Sequence, residues 1–528
     1  MERLAGWVIL QSGWRRALTA FIAGALGAFA QPPFDFPAAC FIAFPILVWL
    51  LDGAAGYPGQ SFLRRLAQPF FIGWWFGFGY FLVGLWWIGN ALLVEADLFA
   101  WALPFAVLGL PALIAIFYGF AAALARAFWS DGIGRIAALA AAFGFSEWLR
   151  TFVLTGFPWN AIGQAAMPVP EMMQSVSVIG MAGINTLAVF VFSVPALLAA
   201  RKGRAAGFLL AALIAALHIG YGFVRIGTGD ATPEKTIQVR LVQPSIDQSE
   251  KWSEEMRERI FQTYLDLSSA EPANGAAQPS LIVWPETSVP FILSQQPEAL
   301  TRLADMIGDR QDLLAGAVRI EGKGADARFY NAVVAINSGG EIFDAVDKIR
   351  LVPFGEYLPL ADILSRAGLQ KIVDNVSDFS PGGQRRAIRL LDEVRILPFI
   401  CYEIIFPGIA GYGDADADVI LNITNDAWFG DTPGPYQHFR QAQIRAVEAG
   451  RPLIRSANNG ISGVVDAYGR VIDAYAIDAV GALDAAVPLQ RVQPLVTRPD
   501  LAGTAIIVML TVWAGASALR SRRRSIDS

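Results

Sequence analysis

The sequence predicts a multi-pass α-helical membrane domain with a soluble α/β domain inserted near its C-terminal end. Three observations carry this. Of 528 residues, 54% are hydrophobic and only 16% are charged, and mean hydropathy is +0.44; an ordinary globular domain carries about 25% charge. Apolar blocks approaching the roughly 20 residues that cross a bilayer recur through the first part of the chain and once at its end. Between them lies a stretch rich in acidic residues, with short β-type runs separated by polar turns.

The same numbers exclude other classes. So apolar a composition is incompatible with disorder. A net charge of −5 argues against a broad cationic surface for nucleic acid. Two cysteines, Cys40 and Cys401, cannot build a disulfide framework. Two histidines, His218 and His438, leave a His/Cys zinc site short of ligands, and a Ser-His-Asp triad would need one of them. No metal or organic cofactor is expected.

In chain order, the apolar blocks fall at about 17–28, 36–51, 67–93, 98–124, 135–154, 174–199, 205–224 and 501–519. Eight spans follow, with residues 1–228 holding seven, 229–495 forming the soluble insert, and 496–528 carrying the eighth span and a basic tail. Basic residues flank alternate ends: Arg15 and Arg16, Arg64 and Arg65, Arg126 and Arg135, Arg201, Lys202 and Arg204, and a final cluster from Arg520 to Arg524. The other connections carry little positive charge, and one holds Glu95 and Asp97. Positive charge stays in the cytoplasm, so both termini are expected there and the insert is expected in the periplasm of a bacterium. The first block, ending in Ala28-Phe29-Ala30, also has the outline of a cleavable leader. The continuing alternation of blocks accounts for it equally well, and cleavage would not change the side on which the insert lies.

Two features of the membrane part stand out. Trp74, Trp75, Trp86 and Trp87 suit an interfacial aromatic belt or the wall of a lipid-entry groove. The segment Gly156-Phe-Pro-Trp-Asn160 is either a plain connector or a shaped loop, and Glu147 and Arg150, three apart just before it, are spaced to pair on one helix face.

In the insert, four apolar runs end abruptly in polar residues. Leu281-Ile-Val-Trp-Pro-Glu286 delivers a carboxylate at a strand end, where a sheet holds a group rigidly; a solvated turn residue is the alternative. Lys348 stands ahead of Ile349-Arg-Leu-Val-Pro-Phe-Gly-Glu356, as either a functional ammonium or a surface lysine on an edge strand. Ile396-Leu-Pro-Phe-Ile-Cys401 leads straight into Tyr402 and Glu403. A lone cysteine is commonly a small buried hydrophobe, but this one is the insert's only thiol and is followed by polar residues. Val419-Ile-Leu-Asn-Ile-Thr-Asn-Asp-Ala-Trp428 supplies another wall. A cysteine, a carboxylate and an ammonium suffice for acyl transfer without histidine. The carboxylate takes the thiol proton, and the ammonium, with the Tyr402 backbone N–H, stabilises the oxyanion.

These motifs together resemble the bacterial apolipoprotein N-acyltransferases of the nitrilase, or carbon-nitrogen hydrolase, superfamily. The likeness rests on the runs around Glu286, Lys348 and Cys401, on Asn425-Asp-Ala-Trp-Phe-Gly430, on Gly450-Arg-Pro-Leu-Ile-Arg455 with Asn458-Asn-Gly460, and on Gly156-Phe-Pro-Trp-Asn160. It covers nearly the whole chain. It implies a nitrilase-like α-β-β-α sandwich for the insert, with Glu286 as general base, Lys348 as oxyanion stabiliser and Cys401 as nucleophile. It implies supporting roles for Glu356, Tyr402 and Glu403, and substrate contacts for Trp252 and Trp428. The implied reaction moves the sn-1 acyl chain of a phospholipid, typically phosphatidylethanolamine, through a Cys401 thioester. The acceptor is the α-amino group of a diacylglyceryl-cysteine on an apolipoprotein. The rivals are a membrane-tethered amidase of the same superfamily and a transporter, whose usual mark, several intramembrane charges, is reduced here to Glu147 and Arg150. The stretch Ala361–Asp378 is either a mobile lid or a static loop.

Overall fold

The computed structural model describes residues 1–54, 61–200, 202–229, 235–251, 253–272, 277–359, 379–408 and 416–526. Trp252 and residues 361–378 lie outside the described residues. The chain divides into two compact units, one comprising residues 1–89, 102–230 and 494–528, the other residues 90–101 and 231–493.

A helix coincides with each of the eight apolar blocks: Gly13–Gly27, Cys40–Asp52, Phe62–Leu85, Leu110–Ala127, Ile133–Leu149, Val176–Ser193, Arg204–Thr228 and Pro499–Ile526. Among the described residues, five helices are long and apolar enough to cross a membrane. The helices Gly13–Gly27, Cys40–Asp52 and Ile133–Leu149 have 15, 13 and 17 residues, short of the roughly 20 that a straight crossing needs. The first and last helices reach past their apolar blocks and take Arg15, Arg16 and Arg520 into the helix, because arginine is a good helix former and hydropathy does not report that. A further helix, Glu2–Ile9, precedes them; its length hides it from a search for spans. The fourth block is interrupted by a π-helical turn at Phe105–Gly109. Pro111 has no N–H to give the carbonyl four residues back, so regular α-helical bonding fails there.

Within this unit the helices approach closely where side chains vanish. A Cβ on Gly24 would lie 1.8 Å from the Phe76 carbonyl oxygen, and one on Gly79 would lie 2.1 Å from that of Phe21. The helices Gly13–Gly27 and Phe62–Leu85 therefore touch backbone to backbone, the small-residue packing that membranes favour. Glu147 and Arg150 do pair, at 2.6 Å, with both side chains 1% exposed. Tyr118 Oη donates to Glu147 Oε1 at 2.7 Å, and Arg150 Nη1 donates to the carbonyls of Phe157 and Trp159 at 2.7 and 2.8 Å. The Gly156–Asn160 segment is thus a shaped loop held by a charged pair. Trp87 is buried and packs on Trp159 with centroids 5.0 Å apart, whereas Trp86 is exposed.

The second unit contains two sheets. The first has the order β12-β1-β2-β3-β4-β5, with β1 Thr236–Gln243, β2 Leu281–Val283, β3 Asp312–Glu321, β4 Arg328–Ile336, β5 Ile342–Asp347 and β12 Gly481–Pro488. The second has the order β11-β10-β9-β8-β7-β6, with β6 Ile388–Arg389, β7 Arg395–Ile400, β8 Val419–Thr424, β9 Leu453–Ala457, β10 Gly463–Val465 and β11 Val471–Ala474. Each has a parallel centre, β1-β2-β3 and β7-β8-β9, flanked by antiparallel strands. Strands β2, β8 and β9 are buried throughout, as strands covered on both faces must be. Ser456 Oγ of β9 reaches the carbonyls of Val242 and Val283 in β1 and β2 at 3.2 and 3.3 Å, so the sheets lie face to face. Helices Arg257–Ser269 and Pro297–Met306 cover the first sheet through Phe261, Tyr264 and Leu303. Helix Pro433–Ala449, buried through most of its length, runs beside the second. This is the nitrilase-like layering of two sheets between helices.

Candidate active site

Each central group stands where a strand stops. Beyond β2, Trp284 is clamped by Phe261 and Tyr264 and donates its indole N–H to Ser268 Oγ at 2.8 Å. Burying such a ring stabilises by about 1.5–3 kcal/mol, and it fixes the chain two residues before Glu286. The turn then crosses β3 at Gly316, where a Cβ would lie 2.3 Å from the Pro285 carbonyl oxygen and 2.7 Å from Glu286 Cα. Only glycine lets the two backbones pass. Lys348 directly follows β5, and its N–H is tied to the Asn331 carbonyl on β4 at 2.7 Å. Cys401 directly follows β7, with φ +50. A non-glycine residue in that region carries roughly 1–3 kcal/mol of strain, so other contacts must hold it.

The structure brings Glu286, Lys348 and Glu356 into one buried network. Lys348 Nζ, 1% exposed, donates to Glu286 Oε1 at 3.0 Å and to Glu356 Oε1 at 2.9 Å. Asn331 Nδ2 donates to the same two oxygens at 2.7 and 3.0 Å. Glu286 Oε2 accepts from the Asn425 backbone N–H at 3.1 Å, and Glu356 Oε2 accepts from that of Val352 at 2.8 Å. Neither Glu286 nor Lys348 is a solvated surface residue.

Charge states follow from these neighbours. Burial pushes the Glu286 carboxyl up, but the Lys348 ammonium, the Asn331 amide and the charge of Lys251 hold it below the usual carboxylate range. Burial pulls Lys348 down, but Glu286, Glu356 and Cys401 hold it well above the ordinary lysine value. Burial and the Glu286 charge push the Cys401 thiol well up, against the opposing pull of Lys348. The resting site therefore holds a carboxylate, an ammonium and a neutral thiol.

Glu403 ties the Cys401 turn to the segment after Lys348. Its Oε2 accepts from the Ile400 N–H at 2.9 Å, one residue before Cys401. Its Oε1 accepts from the N–H groups of Ile349 and Arg350 at 2.9 and 3.0 Å, directly after Lys348. Arg385 donates to both oxygens. Burial raises the Glu403 carboxyl, and Arg385 with these backbone donors brings it below its ordinary value. These contacts fasten the chain beside Cys401 to the chain beside Lys348.

Tyr402 is buried edge-on against Phe406, with centroids 5.2 Å apart. Trp428 is half-buried, and its carbonyl accepts from Asn90 Nδ2 at 3.4 Å. The Cys401 carbonyl lies 3.5 Å from Asn422 Nδ2 and 3.2 Å from His438 Nε2. Asp426 holds His438 and Arg455 at 2.8 Å each; burial raises its carboxyl, but Arg455 and His438 carry it down to about 2.

Four members of the site escaped the reading of the sequence. Asn331 had a signal, a single polar residue inside the apolar strand Tyr330-Asn-Ala-Val-Val-Ala-Ile336. Arg385 and the Asn425 backbone N–H had none. Nor did Lys251, 2% exposed, whose Nζ donates to the Glu286 carbonyl at 2.9 Å.

Fold and site together define a membrane-bound member of the carbon-nitrogen hydrolase class, and residues 238–496 match the carbon-nitrogen hydrolase family. Residues 23–194 match the apolipoprotein N-acyltransferase N-terminal domain. The chain is 53% identical to an apolipoprotein N-acyltransferase of Brucella suis biovar 1 (strain 1330) over 531 residues, which cover 99% of each chain. It is 56% identical to one of Agrobacterium fabrum (strain C58) over 487 residues, 92% of each chain. The chain belongs to the apolipoprotein N-acyltransferase family. It is a multi-pass membrane acyltransferase built on the carbon-nitrogen hydrolase fold.

Proposed function

We propose that Cys401, Glu286 and Lys348 carry the reaction, with a phospholipid such as phosphatidylethanolamine as donor and a diacylglyceryl apolipoprotein as acceptor. Glu286 takes the Cys401 proton as sulfur attacks the sn-1 ester carbon. Lys348 and the Tyr402 N–H meet the oxyanion. The carbon–oxygen bond breaks, the proton passes from Glu286 to the leaving glycerol oxygen, and a lysophospholipid departs from a thioester. The α-amino group of the acceptor then attacks the thioester carbon, Glu286 takes a proton from the nitrogen, the carbon–sulfur bond breaks, and that proton returns to the Cys401 sulfur as the amide leaves, giving a ping-pong scheme. Glu356 and Glu403 hold Lys348 and the nucleophile turn, and Trp252 and Trp428 contact substrate. The observation that carries this reading is the buried lysine bridging the Glu286 and Glu356 carboxylates, at 3.0 and 2.9 Å.

The charge pattern of the flanking segments supports the remaining topology. Residues 1–228 hold seven spans, 229–495 form the periplasmic catalytic domain, and 496–528 supply the eighth span. Both termini are cytoplasmic, in the bacterial inner membrane.

The test is mass spectrometry of the full chain after incubation with phosphatidylethanolamine and no acceptor. One acyl chain should appear on the Cys401 peptide and leave when a diacylglyceryl-cysteine peptide is added. Cys401→Ala should give no adduct, and Glu286→Gln should slow its formation by about 10²–10⁴-fold. Decay of the adduct to free fatty acid, with no transfer to the amine, would instead make the protein a hydrolase.

A further inference from the structure

Lys251 is an ammonium that the scheme above does not use. It lies in the turn before helix Arg257–Ser269 and is 2% exposed. A lysine is almost never fully buried without a paired charge or a function. The hydrogen bond of its Nζ goes to the Glu286 backbone carbonyl, at 2.9 Å. A neutral acceptor does not offset the burial of a full positive charge. One charged group of the site, the Glu286 carboxylate, interacts with it, and so does the Cys401 sulfur once it carries charge.

We propose that Lys251 is a second cation of the catalytic site, holding positive charge toward Glu286 and Cys401 and so easing formation of negative charge on the Cys401 sulfur. This inference rests on the proposed role of Cys401 and Glu286. Lys251 acts through those two groups, as a positioning and electrostatic residue.

The charge arithmetic favours it. Glu286, Glu356 and Lys348 form a network with two negative groups and one positive group. When the thiol proton moves to Glu286, the network gains a negative sulfur and neutralises one carboxylate, so its net charge stays negative. A second ammonium brings the buried cluster to neutrality, and a neutral cluster is the cheaper one to bury. Lys251 Nζ meets residue Glu286 at its backbone carbonyl, 2.9 Å away, and Lys348 and Glu356 are joined to that residue through its side chain and Asn331; the titratable groups that act on Lys251 are Glu286 and Cys401. Burial pulls its ammonium down to about 8, against the upward pull of Glu286 and Cys401. It is therefore charged at neutral pH and loses its charge just above.

The experiment measures the rate of Cys401 acylation by phosphatidylethanolamine from pH 5.5 to 9.5 in the full chain, with Lys251→Gln and Lys251→Arg. Gln keeps a donor for the Glu286 carbonyl and removes the charge; Arg keeps the charge at every pH. Lys251→Gln should move the rising limb up by about one pH unit and slow acylation about tenfold at neutral pH. Lys251→Arg should follow the wild type at neutral pH and overtake it above pH 8. A Lys251→Gln enzyme with the wild-type rate and profile overturns the inference. So does loss of the adduct at all pH values in both variants together with a lowered melting midpoint, which marks a structural tie only. If the wild type itself forms no Cys401 adduct, the role of Cys401 fails instead, and the two failures are distinct.

Discussion

Replacing Glu403 by Gln keeps the shape of the side chain and removes its charge. Two orientations are open to the new amide. With its oxygen in place of Oε1, the NH₂ group faces the N–H of Ile400 and Nη1 of Arg385; in the other orientation it faces Ile349, Arg350 and Nη2 of Arg385. At best, two buried donors lose their acceptor, at about 1–3 kcal/mol each. Arg385, 8% exposed, loses its counter-charge, and breaking a buried ion pair from one side costs about 3–5 kcal/mol. The two routes agree on a loss of that order. The Ile400 N–H is the fastening nearest the strained Cys401, so the nucleophile turn is free to relax and acylation should fall with stability. Melting of the full chain in detergent, followed by tryptophan fluorescence, reads the first effect, and Cys401 adduct formation reads the second. Arg385→Met added to Glu403→Gln removes the orphaned charge and should recover part of the midpoint without recovering the rate. The pH dependence has a definite sign. The folded carboxyl lies below its unfolded value, so its contribution is complete above about pH 4.3 and is lost as pH falls through the lower folded value. Wild type should therefore lose its midpoint more steeply in acid than Glu403→Gln. A Glu403→Gln protein with wild-type midpoint and wild-type acylation would refute this account of the turn.

Two other substitutions separate the site from its surroundings. Asn331→Ala removes the amide that donates to Glu286 and Glu356 at 2.7 and 3.0 Å; a hydrogen bond to a charged group contributes about 1.5–3 kcal/mol, so acylation should slow by about tenfold or more, read as the rate of adduct formation. Cys40→Ala removes a thiol 3.8 Å from the Gly27 carbonyl, both in the unit that does not contain Cys401; it should cost about 1 kcal/mol of stability and leave adduct formation unchanged.

The groups legible in the sequence share one property: their placement is a local event. Glu286 and Cys401 each end an apolar run and Lys348 stands just ahead of one, and the border between an apolar run and a polar residue is visible in a dozen letters. The eight helices were visible for the same reason, since each carries its own apolar signature. What stayed hidden depends on partners far along the chain. Glu403 and Arg385 are joined across a turn of the fold, and Asn425 contributes a backbone N–H that no side-chain pattern advertises. Lys251 is 35 positions from its hydrogen-bond partner and sits in a polar turn, where a lysine attracts no notice. The helices run past their apolar blocks at Arg15, Arg16 and Arg520, because hydropathy marks where lipid would begin, whereas a helix ends where hydrogen bonding and caps end it.

The charge states constrain the order of events in the proposed first step. The thiol is raised and the Glu286 carboxyl is lowered, so proton transfer between them in the resting site runs uphill. A free thiolate is then a poor description of the nucleophile. The same groups give a path around that barrier. As sulfur bonds to the ester carbon, the negative charge that develops on sulfur passes on to the carbonyl oxygen, so no full thiolate has to persist before attack. Lys348, held ammonium by two carboxylates, can turn part of its donation from Glu286 toward that oxygen. Each share of donation that Glu286 loses makes it a stronger base at the moment it must take the proton. Proton transfer and attack thus assist each other only when an ester carbonyl is present. A thiol that stays neutral until its substrate arrives is also protected from the oxidation that exposed, low-pKa cysteines suffer.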